Sequence, residues 1–197
     1  MVDAILEAKY EPILFSEWFK NSNPVEMEIG CGRGKFLSLR AKENPGINFI
    51  GIDRVGKWMK RVKTRTEKNA QENLRFIKAE ARAFLKEAVA DASVHIFHVY
   101  FPDPWPKRRH RSRRMVNADF LKLLASKLPP RGLIEIATDD EDYFQFMKKA
   151  VGVTQELWEN VRETQGERIW DKMNKTNYEL RFETAGKPLF YLELKKR

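Results

Sequence analysis

The chain has one cysteine, Cys31, among its 197 residues, so no internal disulfide framework can hold it together and a reducing compartment is expected. It contains no apolar run of membrane-spanning length, and its first residues, Met1-Val-Asp-Ala-Ile-Leu-Glu7, carry acids where a secretory leader carries cations. Both absences point to the cytoplasm and away from a membrane partner. Of the three histidines, His95 and His98 share one apolar run with no Cys or His at ligand spacing. They are expected to pack or to hydrogen-bond, not to bind metal. There is no internal repeat, low-complexity tract or linker, and the length suits a single domain over 1–197 that buries a substantial core.

What the chain has in excess is positive charge. Lys and Arg number 37 against 28 Asp and Glu, a net charge of +9, and the pI is near 9.6. That balance favours nucleic acid or another anionic surface as partner. The excess is concentrated in Phe101-Pro-Asp-Pro-Trp-Pro-Lys-Arg-Arg-His-Arg-Ser-Arg-Arg114, where six cations stand against Asp103 and supply +5 of the total. A charge run alone is as often a solvated face. Here prolines at 102, 104 and 106 fix their own φ and push Phe101, Asp103 and Trp105 out of the helical region, which predicts a stiff, extended loop. The β-branched and aromatic run before it predicts a buried strand over 94–99, so Asp103 falls just past a strand's carboxyl end, where ligands bind in open α/β sheets.

Strand and helix signals alternate along most of the length. Strands are predicted over 25–29, 47–52, 74–78, 94–99 and 132–137, and helices over 34–41, 54–70, 81–90, 118–128 and 141–150. The alternation predicts an α/β fold with a mainly parallel sheet and helices on both faces. Beyond 150 the pattern changes, and antiparallel closing strands are expected, with 160–178 as a connection that carries substrate contacts. Asp139-Asp-Glu-Asp142 is expected to be an acidic first helical turn favoured by the helix dipole, with no metal required.

Glu28-Ile-Gly-Cys-Gly-Arg-Gly34 follows the first of these strands and opens a helix. The dinucleotide pattern G-x-G-x-x-G needs a third glycine at 35, which is Lys35. The observed acid-x-G-x-G-x-G instead places Gly30, Gly32 and Gly34 in the turn and a carboxylate at the strand end, suited to the ammonium and sulfonium of S-adenosylmethionine. Asp53 ends the next strand, where a carboxylate can accept from ribose hydroxyls. Glu80 follows the third strand, within reach of an adenine edge. A helix cap or a solvated strand end is the plainer reading of each acid taken alone. Glu28, Asp53, Glu80 and Asp103 at four successive strand ends are expected to line one crevice.

On these motifs the chain resembles a class I S-adenosylmethionine-dependent methyltransferase of Rossmann-like fold. The segment Phe-Pro-Asp-Pro-Trp-x-Lys-x-Arg-His-x-x-Arg-Arg is similar to the signature of the tRNA (guanine-N7-)-methyltransferases. Thr138-Asp139 with Tyr143, and Thr176-Asn-Tyr-Glu179 with Arg181-Phe182, agree with it. The resemblance implies that Glu28, Asp53, Glu80 and Asp103 contact the cofactor, that Lys107, Asp139 and Thr176, Asn177, Tyr178 and Glu179 contact substrate, and that Arg109, His110, Arg111, Ser112, Arg113 and Arg114 face RNA. It implies methylation of guanine N7 in the variable loop of tRNA. Because N7 carries a lone pair and no proton, Asp103 is expected to be the catalytic carboxylate through orientation and electrostatics, not as a base, and a monomer or homodimer is expected. Another RNA such as rRNA, or a non-catalytic RNA-binding subunit, stay open as alternatives.

Overall fold

The computed structural model of the protein describes residues 5–7, 11–55, 71–170 and 175–197. Its strands are β1 (Ile5–Glu7), β2 (Val25–Ile29), β3 (Asn48–Asp53), β4 (Leu74–Lys78), β5 (Ile96–Tyr100), β6 (Leu133–Thr138), β7 (Trp158–Gln165) and β8 (Phe190–Lys196). The helices are α1 (Phe15–Phe19), α2 (Lys35–Glu43), α3 (Ala81–Ala88), α4 (Ala118–Lys127), α5 (Glu141–Val153) and α6 (Asn177–Thr184). One sheet takes the order β1-β4-β3-β2-β5-β6-β8-β7. Pairing is parallel from β1 to β6 and antiparallel where β8 joins β6 and β7 joins β8. The chain order reverses direction between β2 and β5, so a crevice opens beyond their carboxyl ends.

Alternation along each strand divides the core in two. Met27, Ile29, Ile50, Ile52, Phe97, Val99, Ile134 and Ile136 face one side, where α3, α4 and α5 lay down Phe84, Leu85, Phe120, Leu121, Phe144 and Met147. The other side is covered by Phe36, Leu37 and Ala41 of α2, packed on Phe49, Leu74, Phe76 and Tyr191. Helix starts follow the chemistry of their caps: the Asn117 side chain accepts from the Phe120 N–H at 3.0 Å and Asp140 from the Tyr143 N–H at 2.7 Å. The acidic run 139–142 therefore serves helix initiation.

The closing strands are antiparallel as expected, but three differences stand out. The predicted connection over 160–178 begins with the second half of strand β7, which runs to Gln165, and ends in the start of α6, whose capping box pairs Thr176 with Glu179. That box is a sequence-level signal for a helix start that the polar composition of the segment obscured. Strand β1 and the short α1 were also not foreseen, and most of the helix predicted over 54–70 lies outside the described residues. The proline loop differs too. Phe101 and Trp105, both preceding prolines, have φ of 51° and 46°, in the left-handed region. The cations from Arg108 to Arg113 wind into a 3₁₀ helix instead of extending. Packing overrides the local preference: Phe101 is held by the rings of Phe182 and Tyr178 at 5.5 and 5.9 Å, and Trp105 by His110 and Arg113 at 5.8 and 5.0 Å.

Candidate active site

A cavity of about 1140 Å³ opens at the carboxyl ends of β2, β3, β4 and β5, and Glu28, Asp53, Glu80 and Asp103 all line it. Gly30 and Gly32 form part of the wall with φ of 79° and 51°, and a Cβ at either position would meet nothing within 4 Å. The turn thus leaves open space in front of its backbone. It is tied to β3 by the N–H groups of Gly30 and Cys31, which donate to the Ile52 carbonyl at 2.8 and 3.0 Å. Gly51 permits this approach, since a Cβ there would lie 2.6 Å from the Phe76 ring and 2.9 Å from Cys31 Sγ. Cys31 fills space: burial pushes its thiol well up, away from the thiolate a nucleophile needs.

The four acids differ in what their oxygens already hold. Asp53 accepts from the Gly32 N–H at 2.8 Å and the Val55 N–H at 2.7 Å. Glu80 is the N-cap of α3, accepting from the Arg82 N–H at 3.2 Å and the Ala83 N–H at 2.8 Å. The plain cap reading accounts for that geometry, although the side chain still borders the cavity. Glu28 is buried, and one of its oxygens has no hydrogen-bond partner among the described residues. Burial, with a smaller push from Asp53, raises its pKa to about 7 against the opposing pull of His98. A cation set before this carboxylate would hold it ionised. Asp103 is exposed on the rim and has no side-chain partner among the described residues.

Across the cavity, Thr176, Asn177, Tyr178 and Arg181 bring the start of α6 to the opening, and Lys35 Nζ donates to Asn177 Oδ1 at 3.1 Å. Of the basic run, Ser112, Arg113 and Arg114 reach the lining. Lys107, Arg109, His110 and Arg111 lie outside it, and Arg111 pairs with Asp142 at 3.0 Å. Four expectations need correction. Arg114 is 2% exposed: its Nε donates to the Pro104 carbonyl at 2.9 Å, and its guanidinium lies 4.9 Å from the Tyr143 ring. It pins the loop and is not available to phosphate. Glu179 is fully buried, accepting from the Thr176 N–H at 2.7 Å and the Tyr191 hydroxyl at 3.3 Å, and so presents no carboxylate to substrate. Gly34 is the left-handed N-cap of α2, behind the lining, and Asp139 lies outside it, 3.2 Å from Lys187 Nζ.

Sequence reasoning passed over Tyr100, which lines the cavity from the end of β5 and stacks on Trp170 at 5.8 Å. Its place at a strand end beside Phe101 could have flagged it; nothing local flags Trp170.

A family model described as "Putative methyltransferase" matches residues 22–192. The tRNA (guanine-N(7)-)-methyltransferase of Geobacter metallireducens is 35% identical over 90% of this chain and 84% of its own length. The chain belongs to the tRNA (guanine-N7-)-methyltransferase family. The fold is shared more widely: the 16S rRNA methyltransferase KamB matches with a TM-score of 0.66 at 16% identity, over 93% of each chain. A phosphoethanolamine N-methyltransferase 2 of Haemonchus contortus, in complex with S-adenosyl-L-methionine, matches with a TM-score of 0.57 at 13% identity, over 88% of this chain and 49% of that one. The cofactor of this chain is S-adenosylmethionine. The residues present fit it: the unpartnered Glu28 oxygen suits its ammonium, and the open glycine turn leaves room for its body.

Proposed function

We propose that this chain transfers the methyl group of S-adenosylmethionine to N7 of a guanine in the variable loop of tRNA, in the cytoplasm, through the cavity at the carboxyl ends of β2 to β5. The supporting observation beyond family membership is Asp103, the one acid of the four that is exposed with no partner among the described residues, lining the same cavity as the glycine turn and the end of the basic 3₁₀ helix. The tRNA reading is favoured over rRNA because the relative at 35% identity acts on tRNA by name, whereas the rRNA methyltransferase shares the fold at 16%.

The cofactor supplies an electrophilic methyl group on a sulfonium. Guanine N7 carries a lone pair and no proton, so the protein has no proton to remove, and orientation is its main task. Glu28 holds the cofactor's ammonium, Gly30 and Gly32 let it approach the backbone, and Asp53 accepts from the ribose with lone pairs left after Gly32 and Val55. Asp103 orients the base and offsets the positive charge that builds on it as N7 is alkylated. Lys107, Arg109, His110, Arg111 and Arg113 receive phosphates, while Asn177 and Tyr178 contact the nucleotide from α6.

The test is to incubate the protein with unmodified tRNA and S-adenosylmethionine and map the product nucleotide. N7-methylguanine in the variable loop is expected from wild type, and Asp103→Asn is expected to slow single turnover by on the order of 10²-fold. Methylation of rRNA alone, or full activity of Asp103→Asn, would overturn the target or the role of Asp103, respectively.

A further inference from the structure

Arg168 stands just beyond β7, outside the cavity and outside every role assigned above, yet it is 4% exposed. Its guanidinium lies 5.3 Å from the Tyr100 ring, 5.4 Å from Trp170 and 5.8 Å from Phe36. Its Nε is 3.2 Å from Glu179 Oε1, with both side chains almost wholly out of water. A buried ion pair is weak as a source of stability, because desolvation offsets most of the attraction; its best-attested use is to fix one arrangement of the elements it joins. The elements joined here are two walls of the active site. Phe36 and Tyr100 line the cavity on the side of the glycine turn and β5, and Glu179 belongs to the first turn of α6, whose Asn177 and Tyr178 line the opposite side. A further polar tie of α6 to the glycine-turn side, Lys35 to Asn177, is exposed to solvent, while the Tyr191 hydroxyl ties Glu179 to β8.

We propose that Arg168 is a positioning residue: clamped among three rings and Glu179, it locks α6 against the Tyr100–Phe36 wall and so sets the gap in which the guanine meets the methyl donor. This rests on the functional reading above. The guanidinium is suited to the place because its flat, permanently charged cation can lie against aromatic rings while it sits 3.2 Å from a carboxylate as an ion pair. An ammonium keeps the charge but cannot do both.

The test compares Arg168→Met, Arg168→Lys and Glu179→Gln with wild type by single-turnover methylation of tRNA, calorimetric binding of S-adenosylhomocysteine, and hydrogen exchange. Arg168→Met is expected to slow single turnover at saturating tRNA by on the order of 10- to 100-fold, the scale of a small misplacement of reacting groups. Cofactor affinity should stay within about threefold of wild type, and amide exchange should rise in 177–184 but not in 96–100. Arg168→Lys should recover part of the rate. Glu179→Gln retains the capping geometry, since Gln serves in a capping box, but it loses the charge and should repeat the rate loss. If Arg168→Met does not fold, the Lys and Gln variants carry the test. Wild-type rates in the variants, or a loss of rate matched by equal loss of cofactor affinity and faster exchange throughout, would overturn the proposal. Wild-type protein inactive on tRNA would overturn the functional reading instead, and the exchange pattern over 177–184 would still decide whether Arg168 locks α6.

Discussion

The two faces of the central sheet are built from alternate residues of the same strands, yet they obey different physics. The face under α3, α4 and α5 is mainly apolar, with Met27, Ile50, Phe97 and Ile134 packed with Phe84, Phe120 and Phe144, and with Arg75 lying 4.9 Å from the Phe19 ring. The face under α2 carries charge at the intervening positions: Glu26, Glu28, His98 and Glu135 are all buried. His98 bridges two strands, with Nε2 3.0 Å from Glu26 and Nδ1 2.9 Å from Glu135; Tyr100 donates to Glu135 at 2.6 Å, and Arg40 Nε donates to Glu26 at 2.5 Å. Burial by itself would lower the His98 pKa, but the charges and hydrogen bonds of Glu135 and Glu26 raise it to about 9. Burial would raise Glu26, and hydrogen bonds from His98 and Arg40 bring it instead to about 2. The apolar face holds the fold, and the charged face sets the electrostatics beneath the cofactor.

The largest expected effect is on the apolar face. Phe84→Ala should lower the free energy of unfolding by about 3–5 kcal/mol, with the same deficit at any pH where the protein is folded. His98→Gln should behave differently. A histidine with a raised pKa contributes stability fully below its unfolded value near 6.5 and loses it as pH rises through about 9. The deficit of His98→Gln in urea unfolding should therefore shrink by on the order of 2–3 kcal/mol between about pH 6 and pH 9.5. A constant deficit would show that the histidine is neutral and that the two faces do not differ in kind.

Glu28 has the opposite sign. Its folded pKa of about 7 exceeds the ordinary 4.5, so it weakens the fold as pH rises between those values. A cofactor cation favours its ionised form. Affinity for S-adenosylhomocysteine should fall by up to about tenfold per pH unit below 7, and Glu28→Gln should flatten that profile. Calorimetry across pH in buffers of different ionisation enthalpy checks both affinity and proton release.

The smallest effects separate buried from exposed charge within the basic segment. Arg114→Leu should cost about 1–3 kcal/mol in stability by leaving the Pro104 carbonyl unpaired and the loop loose. Arg109→Ala, on the surface, should change stability by less than about 0.5 kcal/mol and reduce the slope of log affinity for tRNA against log salt by about 1. Equal effects on the salt slope would remove the distinction.

Much of the site was legible because its signals are local. The glycine turn, the acids at strand ends and the proline loop each occupy a few consecutive residues, and strand alternation placed them at one sheet edge. The unread parts depend on distant partners. Nothing near Arg168 in sequence announces that Glu179, Phe36, Tyr100 and Trp170 converge on it. Arg114 looks like its neighbours in the basic run, and only its insertion against Tyr143 and Phe146, at 4.9 and 5.3 Å, withdraws it from the surface.

By itself, the sequence determined the strands β2 to β6 and the helices α2 to α5, the open turn at Gly30 and Gly32, the row of acids, and the net charge that suits RNA. Tertiary structure decided which of those charges are still available. Glu80 and Glu179 are occupied by helix caps and Asp53 by backbone N–H groups, while among the described residues Asp103 is left without a partner and one oxygen of Glu28 is left unpaired. Burial and pairing create that division, and both are set by residues far apart in the chain: His98 meets Glu26 across 72 positions and Glu135 across 37. The state of a carboxylate follows from what surrounds it in space.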